Sequence, residues 1–457
     1  MKELLEKITT GKKILILGFG REGRSSYRLL KKLFPDIEIR IADKNPNLHL
    51  SEFEDIKPET LYLGGHYLEA APWADVIFKS PGIDFGLSEN GSFRHKIVSQ
   101  TSLFLEQFHS QIIGITGTKG KSTTSSLIYH LLKESGRDAL LVGNIGVPPF
   151  DLVEKVKVNT IIVFEISAHQ LEYVAYSPHI AVLLNIFQEH LDYFPSLEKY
   201  AEAKFNITRY QSASDFLIFD TGNQYLREHL LSREFTGKLI PVELDGSGYH
   251  ADCQAISIAG AENVINVTRS KLNGRHNLKN ILIAATACKI AGLNTMEIES
   301  GLTTFNPLEH RLEEAGTAAG IRFINDSIST IPESTIEAIK TLPETDTIII
   351  GGFDRGIEYR ELVDYLVQSS VRNFLFTGAA GKRMMELMLS KNPAGKNLIF
   401  VEKYHEMPEL ILRHTRSGKI CLLSPAASSY DQFVNFEERG KIFKEMVERI
   451  KNKRDDR

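Results

Sequence analysis

A glycine-rich loop between a predicted strand and a predicted helix constrains the fold of this chain more than any other sequence feature. The strand is predicted at Gln111–Ile115 and the helix at Thr124–Lys133, and the loop reads Thr116-Gly117-Thr118-Lys119-Gly120-Lys121-Ser122-Thr123. In such loops backbone N–H groups and the helix N-terminus hold phosphate oxygens, Lys121 neutralises their charge, and Ser122 can reach Mg²⁺. The loop therefore predicts a nucleotide phosphate site at the edge of a parallel sheet.

The loop departs from the strict P-loop pattern at one position. That pattern places a glycine five residues before Gly120, and Ile115 stands there. Gly117 can supply the turn instead, because glycine adopts backbone conformations that other residues rarely adopt. The alternative interpretation is an ordinary glycine-rich turn in which Gly-Lys-Ser-Thr occurs by chance.

Short β-branched runs recur along the chain, each followed by a turn of small residues and a helical pattern. Strands that alternate with helices in this way predict parallel α/β sheets. At 457 residues the chain is long enough for about three domains. The predicted strands include Lys13–Leu17, Gln111–Ile115, Thr160–Phe164, Ile180–Leu184, Thr347–Ile350 and Lys419–Leu423.

Two domain boundaries are predicted, one near Ser110 and one near Asn306-Pro307. The resulting domains are 1–109, 110–307 and 308–457. We expect a Rossmann-like fold in the first and third and a P-loop ATPase-like parallel sheet in the central one. The segment Tyr210–Val267 mixes acidic, glycine-containing and short β-like pieces and is assigned to the distal half of the central domain. Ligands bind at the carboxyl ends of strands in open parallel sheets, so residues that directly follow strands are the site candidates.

Composition argues against several classes of protein. Apolar residues make up 42% and charged residues 25% of the chain, which is typical of globular proteins. A formal net charge of -4 gives no sign of nucleic-acid binding. The three cysteines form no CxxC pair, which argues against a disulfide framework or a zinc site. The N-terminal residues lack a signal-peptide core, and no run approaches the roughly 18 apolar residues of a membrane span. A cytoplasmic location is therefore expected.

A second glycine-rich turn follows the first predicted strand. Gly18-Phe19-Gly20-Arg21-Glu22-Gly23 matches the pattern GxGxxG, and Asp43 ends the next predicted strand, 20 residues beyond Gly23. Glycine lets the backbone approach phosphate oxygens, and the N-terminus of the following helix favours an anion. A lone GxGxxG is a weak signal, so three interpretations stay open: a nucleotide diphosphate site, an NAD site, or simple tight packing.

The central region contains further polar side chains near strand ends. Glu165 follows the apolar strand Ile161–Phe164, a position from which a carboxylate could hold Mg²⁺ beside the phosphate loop. His190 lies in the segment Asn185–Asp192 after another strand, between acidic neighbours, where it is either a metal or phosphate ligand or a structural hydrogen bonder. Lys204, judged by spacing alone, is a solvated helical lysine.

Three loops in the C-terminal third follow predicted strands and consist mainly of small or polar residues. They are Asp326–Thr330, Gly351–Gly356 and Ser424–Ser429. Any one of them could be an ordinary turn between a strand and a helix. Together they predict a second ligand-binding edge.

These motifs together resemble the Mur ligases, across essentially the whole chain. The last motif and the length are similar to the family members that add D-glutamate, and the DNPR-type motif of the diaminopimelate- or lysine-adding members is absent. The matching segments are TGTKGKST at Thr116–Thr123, GNIG at Gly143–Gly146, EISAHQLE at Glu165–Glu172, NIFQEHLDYF at Asn185–Phe194, GRHNLKN at Gly274–Asn280, LEHR at Leu308–Arg311, NDS at Asn325–Ser327 and SPAASSYDQFVNF at Ser424–Phe436.

The resemblance implies a monomeric cytoplasmic enzyme of peptidoglycan precursor synthesis, with no nucleic-acid or membrane partner. It would use ATP to join D-glutamate to UDP-N-acetylmuramoyl-L-alanine through an acyl phosphate. The first domain would bind the UDP moiety, which favours UDP over NAD at the first glycine turn. The central domain would hold ATP with Mg²⁺ or Mn²⁺. The third would present the amino acid and close to exclude water. Positions that match UDP-substrate contacts are Gly18, Phe19, Gly20, Asp43, Ser80, Gly82 and Asn144.

The resemblance also implies catalytic, metal-binding and ATP-binding residues. Lys204 matches a lysine that becomes carbamylated in these enzymes, which turns a cation into an anionic oxygen ligand for Mg²⁺. The implied catalytic residues are Lys121, Glu165, His190 and Lys204. The implied metal ligands are Ser122 (or Thr123), Glu165, His190 and Lys204. The implied ATP-binding residues are Gly117, Thr118, Lys119, Gly120, Lys121, Ser122, Thr123, Asn280, Arg311 and Asp326.

The implied amino-acid pocket departs from the family pattern. Ile328 stands where many D-glutamate-adding members carry a lysine that is expected to pair with a substrate carboxylate. Arg355 could hold a carboxylate bidentately instead. Ala168 also stands where a second serine is common. The remaining matches to the pocket are Thr330, Ser429 and Phe436.

Three other functions agree less well with the sequence. Another Mur-type ligase, such as the L-alanine-adding enzyme or folylpolyglutamate synthase, disagrees with the loop at Ser424–Phe436. An NAD-dependent oxidoreductase does not account for the phosphate loop at Thr116–Thr123. A non-catalytic nucleotide-binding regulator disagrees with the retention of all four residues that match catalytic positions.

Overall fold

The computed structural model describes residues 1–48, 50–83, 93–189, 193–232, 234–244, 255–257, 264–272 and 274–455. The chain folds into two compact units. One comprises Met1–Ser270 with His276–Phe305, and the other comprises Lys271–Arg275 with Asn306–Arg457. The predicted boundary near Asn306 coincides with the start of the second unit's main segment, whereas the one near Ser110 falls between two sheets of the first unit. The exact domain limits stay a prediction.

The N-terminal sheet is parallel and lies in the first unit. Its strands are β1 (Ile14–Leu17), β2 (Ile39–Asp43), β3 (Leu61–Leu63), β4 (Val76–Lys79) and β5 (Ile97–Val98), and its helices are α1 (Lys2–Thr9), α2 (Arg21–Leu33) and α3 (Gln100–Phe108). Among the described residues the strand order is β3-β2-β1-β4-β5. Every residue of the central strand β1 is buried, which explains its unbroken apolar sequence, because a parallel strand covered on both faces buries all its side chains.

The central sheet, also parallel, completes the first unit. Its strands are β6 (Ile112–Thr116), β7 (Ala139–Gly143), β8 (Ile161–Glu165), β9 (Ile180–Leu183), β10 (Phe216–Asp220) and β11 (Lys238–Val242), in the order β11-β10-β9-β6-β8-β7 over the described residues. A separate antiparallel pair joins β12 (Ala255–Ser257) and β13 (Val264–Asn266). The helices of this region are α4 (Lys121–Glu134), α5 (Ala168–Leu171), α6 (Leu197–Phe205), α7 (Gln224–Leu231), α8 (Arg275–Ile290) and α9 (Thr295–Thr304). Because β6 lies between β8 and β9, the loops after these three strands share one edge.

The second unit contains a mostly parallel sheet. Its strands are β14 (Glu313–Ala318), β15 (Ile321–Asn325), β16 (Thr345–Gly351), β17 (Asn373–Thr377), β18 (Asn397–Phe400) and β19 (Ile420–Leu423), in the order β14-β15-β19-β16-β17-β18, with β14 antiparallel to β15. The helices are α10 (Pro332–Thr341), α11 (Arg360–Gln368), α12 (Gly378–Leu389), α13 (Met407–His414) and α14 (Phe436–Asp455). Since β15, β19 and β16 are neighbours, the three C-terminal loops follow adjacent strands.

The predicted α/β class is confirmed, and each predicted strand is present with ends shifted by one or two residues. The helix predicted from Thr124 was placed too late, because α4 begins at Lys121, directly after a left-handed glycine. None of the described helices is long and apolar enough to cross a membrane. Cys288 and Cys421 are buried free thiols, and Cys253 lies outside the described residues.

Candidate active site

The phosphate loop between β6 and α4 spans Gly117–Gly120. Gly120 has a left-handed φ of +84°, and a Cβ there would lie 2.6 Å from Asn280 Oδ1. Both the conformation and the close approach therefore require glycine. Asn280 Oδ1 also accepts a hydrogen bond from Thr124 Oγ1 at 3.3 Å. The predicted ATP-binding residue Asn280 thus lies against the loop, although 156 residues separate it from Thr124.

Asn185, the second residue after β9, anchors this loop. Its Oδ1 accepts a hydrogen bond from Lys119 N at 2.8 Å, and its Nδ2 donates to Lys119 O at 3.0 Å. Its backbone oxygen accepts from Thr118 N at 2.9 Å. One residue therefore holds two loop residues in place. The segment that begins at Asn185 was a site candidate in the sequence, but the anchoring role of Asn185 was not predicted. Its position just after a strand was the one signal that could have indicated this role.

Lysine side chains converge on a carbonyl of the phosphate loop. Lys121 Nζ donates to Gly117 O at 2.8 Å and to Thr118 O at 2.9 Å. Lys204 Nζ, from α6, donates to the same Gly117 O at 2.8 Å. A third lysine, Lys119, pairs with Glu189 at 3.1 Å. Positive charge is therefore concentrated at the N-terminus of α4, where the helix dipole already favours an anion.

The interpretation of Lys204 as a solvated helical lysine is wrong. The residue is only 1% exposed, and its Nζ lies 4.6 Å from the centre of the Tyr200 ring. Burial, followed by repulsion from Lys121, lowers the pKa of Lys204 well below its ordinary value, and Glu189 opposes this effect. The helix pattern could not show this, because the segments that bury Lys204 are distant in the sequence.

Glu165 ends β8 and is completely buried, with 0% exposure. Its Oε1 accepts a hydrogen bond from Asn144 Nδ2 at 2.8 Å. Its Oε2 has no hydrogen-bond partner within the described part of the chain, and the same is true of the buried hydroxyls of Thr116 and Thr123. Buried polar atoms without partners are costly. A carboxylate oxygen and hydroxyls beside a phosphate loop are suitable ligands for Mg²⁺, so these residues fit a divalent cation.

The predicted metal ligands can be described only in part. His190 lies outside the described residues. Over the residues that are described, no group of three or more His, Cys, Asp or Glu side chains is arranged to hold a metal ion. Ser122 lies in the first turn of α4, and Glu165 interacts electrostatically with Lys204.

The first glycine turn is closed by a carboxylate. Gly18 has φ +88°, and a Cβ there would lie 2.8 Å from Ser80 Cβ, while Ser80 Oγ donates to Gly18 O at 2.8 Å. Phe19 N donates to Asp43 Oδ2 at 2.6 Å. Gly20 caps the N-terminus of α2. The structure therefore brings together Gly18, Phe19, Gly20, Asp43 and Ser80, as predicted for one site.

Phe19 supports this turn from inside. Its ring is buried and makes edge-on contacts with Tyr27 and Phe53, at centroid distances of 5.8 Å and 5.1 Å. Of the other predicted UDP-substrate residues, Gly82 is exposed with φ +78°, and Asn144 contacts Glu165 at the central sheet. The GNIG loop that contains Asn144 approaches the first turn, since Arg21 donates to Gly146 O at 2.5 Å.

Glu22 and Gln170 join the first glycine turn to the central sheet, a contact that sequence analysis missed. Gln170 Nε2 donates to Glu22 Oε1 at 2.6 Å, and Gln170 Oε1 accepts from Ser167 N at 2.8 Å. Burial raises the pKa of Glu22 to about 7, against the opposing effects of Gln170, Arg21 and Lys79. Both residues lie in singled-out motifs, but nothing in the spacing indicated that they meet.

In the second unit, Asp326 is buried after β15. Ser424 Oγ donates to its Oδ2 at 2.8 Å, and Leu312 N donates to its Oδ1 at 3.2 Å. Burial raises the pKa of Asp326 to about 6, with hydrogen bonds from Ser329 and Ser424 and the charge of Arg311 acting in the opposite direction. Two of the predicted ATP-binding residues, Asp326 and Arg311, therefore interact.

The predicted amino-acid residues occupy the same edge of this sheet. Exposed Arg355 donates to Thr330 O at 3.4 Å. The backbone oxygen of buried Ser429 accepts a hydrogen bond from Phe433 N at 2.9 Å. Phe436 O accepts from Ser327 Oγ at 2.8 Å. The loops after β16 and β19 meet at a bridge between Phe353 and Ser428, and Ala426 N donates to Ser329 O at 2.9 Å. The three loops therefore lie together. Ile328 is partly buried and offers no charge.

Comparison with known proteins defines the class. Residues 115–288 match the family model for the Mur ligase middle domain. The fold is that of UDP-N-acetylmuramate-alanine ligase MurC from Thermotoga maritima, at 18% identity and a TM-score of 0.60 over 96% of this chain and 99% of that one. MurF from Acinetobacter baumannii matches at 15% identity and a TM-score of 0.63 over 97% and 98% of the two chains. The chain therefore has the fold of these ligases, and its central segment matches the model of their middle domain.

Full-length relatives narrow the class further. A UDP-N-acetylmuramoylalanine–D-glutamate ligase from Desulfitobacterium hafniense is 34% identical over 96% of this chain and 98% of its own length. A protein of the same name from Geobacillus kaustophilus is 33% identical over 96% and 98%. The chain belongs to the family of UDP-N-acetylmuramoylalanine–D-glutamate ligases.

Proposed function

We propose that this chain is an ATP-dependent ligase that adds D-glutamate to UDP-N-acetylmuramoyl-L-alanine. The observation that supports the ATP chemistry best is the pair Lys121 and Lys204, which both donate to Gly117 O at 2.8 Å. A polyphosphate bound at the N-terminus of α4 would draw Lys121 away from this carbonyl, with Lys204 held beside it. Family membership supports the identity of the acceptor and of the amino acid.

In the first step, a carboxylate oxygen of the muramoyl-alanine attacks the γ-phosphorus of ATP. The bond from that phosphorus to the β,γ-bridging oxygen breaks, ADP leaves, and an acyl phosphate forms. Two anions must approach each other, so the site has to concentrate positive charge. Lys121 would exchange its bonds to Gly117 O and Thr118 O for phosphate oxygens, and Lys119 would add a second cation nearby.

In the second step, the neutral amine of D-glutamate attacks the acyl carbonyl. A tetrahedral intermediate forms, the nitrogen loses a proton, and inorganic phosphate leaves as the amide is made. Arg355, Thr330, Ser429 and Phe436 would present the amino acid. Arg355 is suited to a carboxylate because its planar guanidinium can donate two parallel hydrogen bonds. It would take over a role that Ile328 cannot have.

The buried acceptors around the phosphate loop support a divalent cation, Mg²⁺ or Mn²⁺. Glu165 would hold it together with His190, carbamylated Lys204, and the hydroxyl of Ser122 or Thr123. When bound, such a cation would neutralise phosphate charge and make the γ-phosphorus more electrophilic.

Carbamylation of Lys204 is part of the proposal. The amine would add to CO₂ and lose a proton, which replaces a buried ammonium with an anionic carbamate. The geometry of Lys204 supports this modification, since the residue is 1% exposed and shares its carbonyl acceptor with Lys121. Reversal of its charge would turn a repulsive contact with Lys121 into an attractive one.

The first glycine turn, with Asp43, Ser80, Gly82 and Asn144, would hold the UDP moiety of the acceptor. Asn144 supports this assignment because it contacts Glu165 at 2.8 Å and so lies beside the region where the phosphoryl group would be transferred. Both nucleotide substrates belong to cytoplasmic metabolism, so the enzyme would act in the cytoplasm, and we propose that it acts as a monomer.

The proposal is tested by phosphate release from ATP in the presence of UDP-N-acetylmuramoyl-L-alanine and one amino acid at a time. We expect release that requires both the acceptor and D-glutamate. Release with the acceptor and a different amino acid would keep the ligase chemistry and refute the specificity. No release with any amino acid would refute UDP-N-acetylmuramoyl-L-alanine as the acceptor. A nicotinamide-binding titration would then test the oxidoreductase alternative.

A further inference from the structure

Arg439 in the first turns of α14 connects two of the ligand-edge loops of the second unit. It is only 2% exposed. Its Nε donates to Ser327 Oγ at 3.0 Å, its Nη2 donates to Ser327 O at 2.8 Å, and its Nη1 donates to Ala427 O at 3.1 Å. Ser327 follows Asp326 in the loop after β15, and Ala427 lies in the loop after β19. One guanidinium therefore binds both loops.

The hydroxyl of Ser327 links Arg439 to the first residue of α14. It accepts the hydrogen bond from Arg439 Nε and donates its own proton to Phe436 O at 2.8 Å. Phe436 is the first residue of α14 and a predicted amino-acid contact. The Asp326-Ser327 loop is thus held from two sides by the same helix.

The charge of Arg439 suits this position. Asp326 and Asp431 interact with it electrostatically, as does Tyr404. Burial lowers the pKa of Arg439 to about 10, so the group stays protonated at neutral pH. A planar guanidinium can donate in several fixed directions at once, which a lysine ammonium cannot reproduce. The three acceptors of Arg439 lie on two different loops and therefore need this shape.

We propose that Arg439 is a positioning residue of the amino-acid site, which keeps Thr330, Ser429 and Phe436 in the mutual arrangement that binds D-glutamate. The inference rests on the proposed function, because it takes these loops as the amino-acid edge. Arg439 itself would not touch the substrate. It would act through Ser327 and Ala427.

The test is steady-state kinetics of the full-length variants Arg439→Lys and Arg439→Met. We expect the KM for D-glutamate to rise about tenfold or more, because small displacements of binding groups are costly. The KM for UDP-N-acetylmuramoyl-L-alanine should not change, since that substrate is assigned to the first unit. An unchanged KM for D-glutamate, or an equal rise in both KM values, would overturn the inference.

Arg416 provides a matched control for a purely structural effect. Its Nε and Nη2 donate to Asp346 Oδ1 at 3.0 Å and 2.6 Å, near the amino end of β16 and so at the opposite edge of the same sheet. Arg416→Met should lower the thermal midpoint of unfolding and leave the KM for D-glutamate unchanged. If Arg416→Met and Arg439→Met raise that KM equally, Arg439 has only a structural role.

Ser327→Ala gives a second test in case the Arg439 variants fail to fold. It removes the shared hydroxyl but keeps both carbonyl acceptors, so the expected rise in the KM for D-glutamate is smaller. Combined with Arg439→Lys, it should raise the KM by less than the product of the single effects, because both changes break the same hydrogen bond, between Arg439 Nε and Ser327 Oγ. Independent, multiplicative effects would contradict the inference. A wild-type protein without D-glutamate-dependent phosphate release would instead refute the proposed function.

Discussion

The chain places a glycine-rich turn after a parallel strand twice, and the two turns satisfy their backbone groups in opposite ways. In the first, a backbone donor is paired with a carboxylate, since Phe19 N donates to Asp43 at 2.6 Å. In the second, a backbone acceptor is paired with cations, since Lys121 and Lys204 donate to Gly117 O at 2.8 Å. Similar local geometry therefore produces different electrostatic surroundings.

The difference shows that a glycine pattern predicts a close approach to a ligand but not the chemistry at the turn. The neighbouring strand ends and helices decide that. An acidic partner suits a turn that binds and orients a nucleotide group. A cluster of lysines suits a turn where phosphoryl charge develops during a reaction. Changes at the first turn should therefore affect substrate binding, and changes at the second should affect catalysis.

The largest effect is expected for Lys121→Ala. Loss of this cation should lower kcat on the order of a thousandfold, because it removes charge stabilisation at the transferred phosphoryl group. Calorimetry should show unchanged binding of UDP-N-acetylmuramoyl-L-alanine, and circular dichroism an intact fold. Lys133→Ala, on the exposed last turn of the same helix, is the control and should keep the wild-type rate. A near-normal rate for Lys121→Ala would contradict the role given to the second turn.

Lys204→Ala should lower kcat by about a hundredfold through loss of a charged group at the reacting phosphate. If Lys204 acts as a carbamate, added formate or acetate should restore part of the rate by supplying an oxygen ligand in the space that the side chain leaves. Lys199→Ala on the exposed side of α6 should neither lose activity nor respond to carboxylates. Full activity of Lys204→Ala without any additive would exclude the carbamate hypothesis.

Asp43→Ala tests the first turn. The variant loses the acceptor for Phe19 N and for Asn45 N, which lie 2.6 Å and 2.8 Å from the carboxylate. We expect the KM for UDP-N-acetylmuramoyl-L-alanine to rise about tenfold, as for the loss of a charge-assisted hydrogen bond, with little change in kcat. Asp36→Ala, exposed before β2, should change neither constant. A drop in kcat as large as that for Lys121→Ala would remove the distinction between the two turns.

The smallest effect on catalysis is expected at Glu22, where the change is in stability near the first turn. Burial raises the pKa of Glu22 from its usual 4.5 to about 7, so the folded state binds a proton more tightly than the unfolded state. This stabilising contribution is complete below the usual pKa and is lost as the pH rises through about 7. Glu22→Gln cannot ionise and keeps an acceptor for Gln170.

The advantage of Glu22→Gln over the wild type should therefore grow as the pH is raised from about 5 to about 8, toward a limit of about 3 kcal/mol in the free energy of unfolding. Thermal or urea unfolding of both proteins at a series of pH values measures it. A pH-independent difference would show that Glu22 does not bind this proton.

Most of the fold was predictable because its signals are local. Runs such as Ile14–Leu17 and Ile112–Thr116 are buried throughout because both faces of these strands are covered, and a glycine-rich turn follows each of them. A strand, a turn and the next helix lie within about 20 consecutive residues, so their pattern is visible without any knowledge of distant contacts. The predicted strand ends differ from the observed ones by one or two residues, as for the predicted strand Thr347–Ile350, which spans Thr345–Gly351.

The amino-acid sequence by itself therefore determined the strand–turn–helix units, both glycine-rich turns and the resemblance that places the chain among the Mur ligases. Tertiary structure alone decided which side chains those turns meet. Lys204 is 87 residues from Gly117, Glu22 is 148 from Gln170, and Arg439 is 112 from Ser327. Whether a charged side chain is buried or solvated depends on segments that packing brings to it. Periodicity records only the neighbours within a few turns of the chain, so it could reveal neither the buried Lys204 nor the guanidinium that links two loops.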